Sequence, residues 1–317
     1  MEEEFRVGVK GRGSLAPWYC ELPHQGVLAV SGKDAGKLLQ GQCTCDILGL
    51  EKGRARLGAF CNAKGRVIAS FCTFQSAGTY YVLLPLERAE VMEQRLRRVI
   101  LRAAATVENV SGAWRMCGAG GDLEAAARHF GAVVPEEVEQ VAACDSGYVI
   151  SWPGERLLIM QPADARAIAP GPGFGASGCD LWTLEDVRSG IPQISQVTSE
   201  EFVPQMINLD LLEAISFNKG CYIGQEIVAR THYLGRPKRR MFRLHCGEVC
   251  LSSGDALYLE GKPEQSVGTV VQVAVDGEGG QELLAVLALD GADGGILHGR
   301  EPEGPAVSIL PLPYTFP

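Results

Sequence analysis

The chain has 317 residues, more than one ordinary core accommodates, so two domains are expected, one of them divisible into two lobes. Hydrophobic residues make up 46% and charged residues 21%, which excludes a disordered chain, and the formal net charge of -9 excludes a protein that wraps nucleic acid by bulk charge. The start, Met1 to Phe5, is acidic where a signal peptide is basic, and no apolar run approaches the roughly 20 residues that span a bilayer. A cytoplasmic protein with no membrane partner is therefore expected. The 11 cysteines are an odd number scattered through apolar segments such as Ala59-Phe60-Cys61, as reduced, buried thiols would be.

In chain order, Gly26 to Ser31 reads as a strand and Asp34 to Gln40 as a short helix after a turn at Gly32. Leu57, Ala59 and Cys61 alternate with their neighbours, Asn62 to Gly65 supply turn residues, and Val67 to Phe74 is rich in β-branched and aromatic residues; together these predict a hairpin. Tyr80 to Leu84 predicts a further strand. After Pro85, Met92, Leu96, Val99 and Ile100 fall on one helical face. Gly112 to Gly121 and Ala169 to Gly178, rich in Gly, Ala and Pro, read as surface loops. From about Met241 the pattern changes to short strands, Leu257 to Leu259, Val267 to Val273, Leu283 to Leu289 and Val307 to Leu310, which predict a small β-barrel or sandwich. The boundary expected is 1–240 and 241–317, with the basic run Arg236 to Arg240 at the junction.

Several short motifs carry no chemistry. Gly32 to Lys37 lacks the glycine spacing and the Ser or Thr of a phosphate loop, and Gly171, Gly173 and Gly175 have no strand before them to make a dinucleotide fingerprint. Cys43-Thr44-Cys45 and the pair Cys246 and Cys250 have neither zinc nor redox spacing and read as buried or adventitious thiols, so no structural metal is expected.

The segment Ile215 to Arg230 is different in kind. Gly220 and Gly224 permit a sharp turn, and Gln225 to Arg230 has the composition to start a helix. Cys221 would then lie near a helix N-terminus with Lys219 two residues away, a setting that favours a thiolate. On local sequence alone, a reactive thiol and a small core residue in a tight turn both stand.

Lys219, Gly220, Cys221, Tyr222, Gly224, Gln225 and Glu226 resemble the K-G-C-Y-x-G-Q-E motif of the YgfZ family. The resemblance extends through Ala229 to His232, and reappears at Gly32, Asp34, Gln40 to Gln42, Thr44, Asp46, Ala63 to Gly65, Gly190, Pro192, Pro204, Gln205 and Leu312 to Tyr314, so that it covers most of the chain. It implies an α+β fold of the aminomethyltransferase (GcvT) type, with interleaved folate-binding lobes and a C-terminal antiparallel β-barrel. It also implies tetrahydrofolate or a derivative as cofactor, and a role in assembly or repair of iron-sulfur clusters in client enzymes, including tRNA methylthiolation. Iron-sulfur enzymes or assembly proteins are the partners implied, with tRNA an indirect one. Cys221 is then the candidate thiolate or transient cluster ligand, and Lys219, Tyr222, Gln225, Glu226, Arg230 and Arg188 the candidate folate contacts.

The chain departs from the glycine-cleavage T-protein at two places. Ala69 and Ser70 stand where T-proteins carry an acidic pair, and Arg188 where they carry a folate-facing glutamate. Loss of such carboxylates removes acid-base and electrostatic help worth on the order of a hundredfold or more each, so aminomethyl transfer is not expected. Two alternatives stay open: a folate-dependent one-carbon transferase with a different catalytic group, and a tRNA or protein docking module that uses Lys238, Arg239 and Arg240.

Overall fold

The computed structural model describes residues 16–144, 147–165, 173–235, 237–289 and 295–316. Met1 to Phe5, Gly171, part of the Ala169 to Gly178 loop and Arg236 lie outside the described residues.

A five-stranded antiparallel sheet in the order β3-β4-β5-β2-β6 joins β2 (Gln25–Ser31), β3 (Ala55–Cys61), β4 (Val67–Ser76), β5 (Thr79–Pro85) and β6 (Thr106–Asn109). Its register aligns Leu57 with Cys72 and Cys72 with Leu83 on one face. On the opposite face Leu28, Phe60, Phe71 and Val82 pack under α1 (Ala35–Gln40) and α2 (Leu86–Val99), which contribute Leu38, Leu39, Met92 and Leu96. The predicted strands, hairpin and both helices are all present. Burial on both faces explains why β3 and β4 are nearly continuous apolar runs.

A second sheet, in the order β11-β1-β7-β10-β9-β8, joins β1 (Trp18–Glu21), β7 (Trp114–Gly120), β8 (Val141–Cys144), β9 (Gly147–Trp152), β10 (Arg156–Pro162) and β11 (Gly175–Ala176). Along β10, Leu157 and Ile159 face α3 (Leu123–His129), while Leu158 and Met160 face the first sheet. Because β1 precedes the whole first sheet and β7 follows it, the two lobes are interleaved in the chain.

The reading of Gly112 to Gly121 as a loop is overturned, since most of it is the buried strand β7. Its glycines mark close approach rather than a turn: a Cβ at Gly118 would lie 2.3 Å from the Trp182 ring, and one at Gly120 2.7 Å from the Trp18 ring. Ala169 to Gly178 is likewise not loop throughout, because Gly175–Ala176 pair in parallel with β1.

Helix α4 (Cys179–Ser189) lies between the second sheet and the barrel, and ends at Gly190 in the left-handed conformation. The segment from Ile191 to Gly224 is largely irregular, apart from a 3-10 turn at Pro204–Ile207, and leads into α5 (Gln225–Leu234). The chain then closes a barrel in the order β12-β15-β14-β13-β16-β17, from β12 (Arg239–Cys246), β13 (Ala256–Leu259), β14 (Lys262–Val275), β15 (Gln281–Ala288), β16 (Leu297–Gly299) and β17 (Ala306–Leu310). Strands β12 and β16 are not among the predicted runs: β16 is too short to show a period, and β12 begins inside the basic run. Along β15, Leu283, Ala285 and Leu287 fill the barrel, while Leu284 and Val286 join the central core beside α4. Arg188 of α4 and Arg243 of β12 both pair with Glu282 of β15, fastening helix to barrel.

Candidate functional site

Between the two sheets lies a narrow, mainly apolar cleft, part of it open to solvent. Leu57, Ser70 and Leu83 line it from the first sheet, Trp152 from the second, Trp182 from α4, and Gln193 from the irregular segment. Behind the two tryptophans, Asp186 is fully buried and accepts from Arg156 Nη2 at 2.8 Å, Trp152 Nε1 at 3.0 Å and Gln193 Nε2 at 3.2 Å. Burial pushes the Asp186 carboxyl above its ordinary range, with Arg156 pulling the other way. The Arg156 guanidinium lies 4.3 Å from the centre of the Trp182 ring and donates to Trp182 O at 3.0 Å. The cleft thus has aromatic walls, and its polar edge is held by hydrogen bonds to a buried ion pair.

Ser70 is buried in this cleft. Its hydroxyl donates to Pro192 O at 3.0 Å and accepts from Ile194 N at 3.1 Å, so it anchors the irregular segment. Ala69 points into the other core, under the helices.

The glycine-rich motif forms a second locus, stitched to two turns of the first lobe. Thr44 Oγ1 donates to Ala214 O at 2.7 Å, Ser216 N to Thr44 O at 2.9 Å, and Ile223 N to Gly41 O at 3.2 Å. Gly224, at φ +84°, caps α5, and a Cβ there would lie 2.5 Å from Asn62 O in the β3–β4 turn. Gly65 in that turn packs against Ile227 of α5. Gln40 Oε1 accepts from Ile47 N at 2.7 Å, and its Nε2 donates to Asp46 at 2.8 Å, which sets the turn facing the motif. Much of the dispersed family pattern is therefore this one set of backbone and side-chain contacts.

Of the candidate folate contacts, Lys219, Tyr222 and Gln225 are brought together, while Glu226, Arg230 and Arg188 stand apart from them. Lys219 turns inward and donates to Cys43 O at 2.6 Å and Cys45 O at 2.8 Å, while its ammonium lies 4.9 Å from the centre of the Tyr222 ring. Burial pulls this ammonium below the usual lysine range. Tyr222 is buried with no partner for its hydroxyl among the described residues, and burial pushes its phenol up. Gln225 accepts from Tyr222 N at 3.3 Å across the start of α5, whereas Glu226 and Arg230 are exposed on that helix. Arg188 is engaged by Glu185 and Glu282 at the barrel. None of the six lines the cleft.

Among the 11 cysteines Cys221 alone is exposed. The Lys219 cation, expected beside it, serves instead the buried stretch Cys43 to Cys45. There the neighbouring Cys43 thiol and the Lys219 ammonium hold the Cys45 thiol below its ordinary value, while burial pushes Cys43 well above. Reading by local spacing missed this pairing, although Lys219 and the stretch from Gln40 to Asp46 both belong to the family pattern. Of the basic run, Arg240 is buried and grips Asp210 with contacts of 2.6 and 2.8 Å, Arg239 is half-buried and Lys238 is exposed. Among the described residues no group of three or more His, Cys, Asp or Glu side chains could hold a metal, and no helix is long and apolar enough to cross a membrane.

No family model matches the chain. Whole-chain similarity decides the matter: a tRNA-modifying protein YgfZ of Colwellia psychrerythraea is 30% identical over 301 residues, 93% of this chain and 93% of that protein. The chain belongs to the YgfZ family. A tRNA-modifying protein YgfZ of Sodalis glossinidius is 32% identical over 92% of this chain and 90% of its own length. Among solved structures, the glycine cleavage system aminomethyltransferase T from Bartonella henselae superposes with a TM-score of 0.76 over 94% of this chain and 86% of that one, at 15% identity. This member of the YgfZ family thus has the aminomethyltransferase fold, as its motif implied.

Proposed function

We propose that the chain binds a tetrahydrofolate-type ligand in the cleft between its two sheets and acts, without aminomethyl transfer, in support of iron-sulfur-dependent tRNA modification in the cytoplasm. The observation that carries this reading is the cleft itself. Trp152 and Trp182 offer flat apolar walls to a pteridine, and Gln193, held by Asp186, offers an amide at their edge. A bound tetrahydrofolate would supply one-carbon carrier chemistry, while the residues of this chain bind and orient it and exclude water. Residues 1–240 would form the ligand-binding unit, and the barrel of 241–317 would hold α4 against it.

Two features favour a non-transferring role. Ser70 is tied to the backbone of residues 192–194 and brings no carboxylate to the cleft. The relatives quoted above carry the name of tRNA-modifying proteins rather than of transferases. Cys221, exposed at the head of the motif, is the group we assign to thiolate or transient cluster chemistry with a client. A docking function based on the basic run is less well supported, because Arg240 is committed to Asp210.

Calorimetric titration with tetrahydrofolate tests the reading, with Leu212→Trp as the variant that fills the cleft and Lys219→Ala as the variant of the motif. Saturable binding that Leu212→Trp reduces at least tenfold is expected. Loss with Lys219→Ala alone would move the ligand to the motif, and no saturable binding to the unaltered protein would end the proposal.

A further inference from the structure

On the outer side of the first lobe, α2 borders an open groove of about 330 Å³ closed on its other side by the turn at Ser199 and Glu200. Arg88, Arg95 and Arg98 recur along α2 at helical spacing and all line this groove, with Val91 between them. Arg88 is 93% buried in its surroundings, being only 7% exposed. It donates from Nη2 to Ser199 Oγ at 3.0 Å, and its Nε is buried with no partner among the described residues. Arg95 has one long contact, to Cys61 O at 3.3 Å. None of the three guanidinium groups has a carboxylate within salt-bridge distance among the described residues, although Glu200 stands at the rim.

Among the described residues, the chain itself leaves the cationic face of this groove without a paired carboxylate. A buried guanidinium with an unmade hydrogen bond carries a desolvation penalty, and three cations along one groove repel each other. The other two buried arginines among the described residues are neutralised, Arg156 by Asp186 and Arg240 by Asp210, and Arg188 and Arg243 pair with Glu282. Arg97, on the same helix but outside this groove, is paired with Glu93.

We propose that the groove of Arg88, Arg95 and Arg98 is a binding site for a phosphate group. The planar fork of a guanidinium matches the oxygens of a phosphate, and three forks against one rim carboxylate suit its charge. Val91, exposed beside them, gives an apolar surface to whatever carries the phosphate. The source is either a small phosphorylated molecule or the backbone of an RNA strand.

The test is calorimetric titration of the full chain with inorganic phosphate, replacing sodium chloride at constant ionic strength. Saturable binding of one phosphate is expected, weakened at least tenfold in the double variant R95A/R98A and at least fivefold in Arg88→Lys, which keeps the charge but loses the fork. R95A/R98A alters only the outer part of α2, so it keeps the test valid should Arg88→Lys fail to fold. Non-saturating heats, or unchanged affinity in R95A/R98A, would overturn the site. A short single-stranded RNA identifies the source: competition with phosphate, lost in R95A/R98A, assigns the groove to RNA, whereas saturable phosphate binding without competition assigns it to a small phosphorylated molecule.

Discussion

Replacing Asp186 by Ala should be among the most damaging single changes in the chain. The substitution leaves the Arg156 guanidinium, 1% exposed, without its counter-ion. It also orphans Trp152 Nε1 and the Gln193 amide. Removing one partner of a buried pair costs roughly 3–5 kcal/mol. Arg156→Met leaves the opposite defect, a buried carboxylate, which can escape by taking up a proton. Because burial already raises the Asp186 pKa, the stability associated with its protonated form is fully present below the unfolded value and is lost as pH rises through the folded one. Arg156→Met should therefore cost less at pH 5 than at pH 8. The double variant R156M/D186L, which removes both charges and fills the space with apolar atoms, should recover most of the loss, since such replacements are often neutral. Urea unfolding of the unaltered protein, Asp186→Leu, Arg156→Met and R156M/D186L closes the cycle. If the two single costs simply add in the double variant, the pair is not coupled and this account of the polar edge is refuted.

Three further outcomes follow from the geometry. Burial pushes Glu139 up to about 7, so its contribution to stability is full below the unfolded value of about 4.5 and falls as pH rises to 7 and above; Glu139→Gln should flatten thermal stability between pH 5 and 8, a difference of up to roughly 3 kcal/mol. Gly224→Ala would strain a left-handed residue and drive a Cβ into Asn62 O, costing roughly 1–3 kcal/mol of stability, read as a lower denaturant midpoint. Gly220→Ala, with nothing within 4 Å of its Cβ, should stay within about 0.5 kcal/mol, and equal effects at the two glycines would contradict the packing described. Brief iodoacetamide treatment of the folded chain, followed by peptide mass mapping, should label Cys221 ahead of the other cysteines; faster labelling of Cys45 would show that the loop of Lys219 opens readily.

Much of the fold was legible in the residues. Met92 and Leu96 at helical spacing, the turn from Asn62 to Gly65, and the β-rich pattern after Met241 all specify local structure, because periodicity and turn chemistry act over a few residues. The motif from Lys219 to Glu226, resembling its family's signature, pointed to the fold of the whole chain. Strand β7 was misread because its glycines answer to Trp18 and Trp182, which are brought there by β1 and α4.

The site was the less legible part for the same reason. Sequence proximity placed the Lys219 cation beside Cys221, and the packing of Thr44 and Gly41 against the motif turned it toward Cys43 and Cys45 instead. Arg188, whose position suggested a ligand, meets a barrel carboxylate at Glu282, 94 residues further along. What the sequence determined alone was most of the first sheet with its two helices, the β-rich C-terminal part, and the family. Which charges meet was decided by tertiary structure, because a hydrogen bond or ion pair depends on distances of about 3 Å between side chains that the chain brings together only after folding.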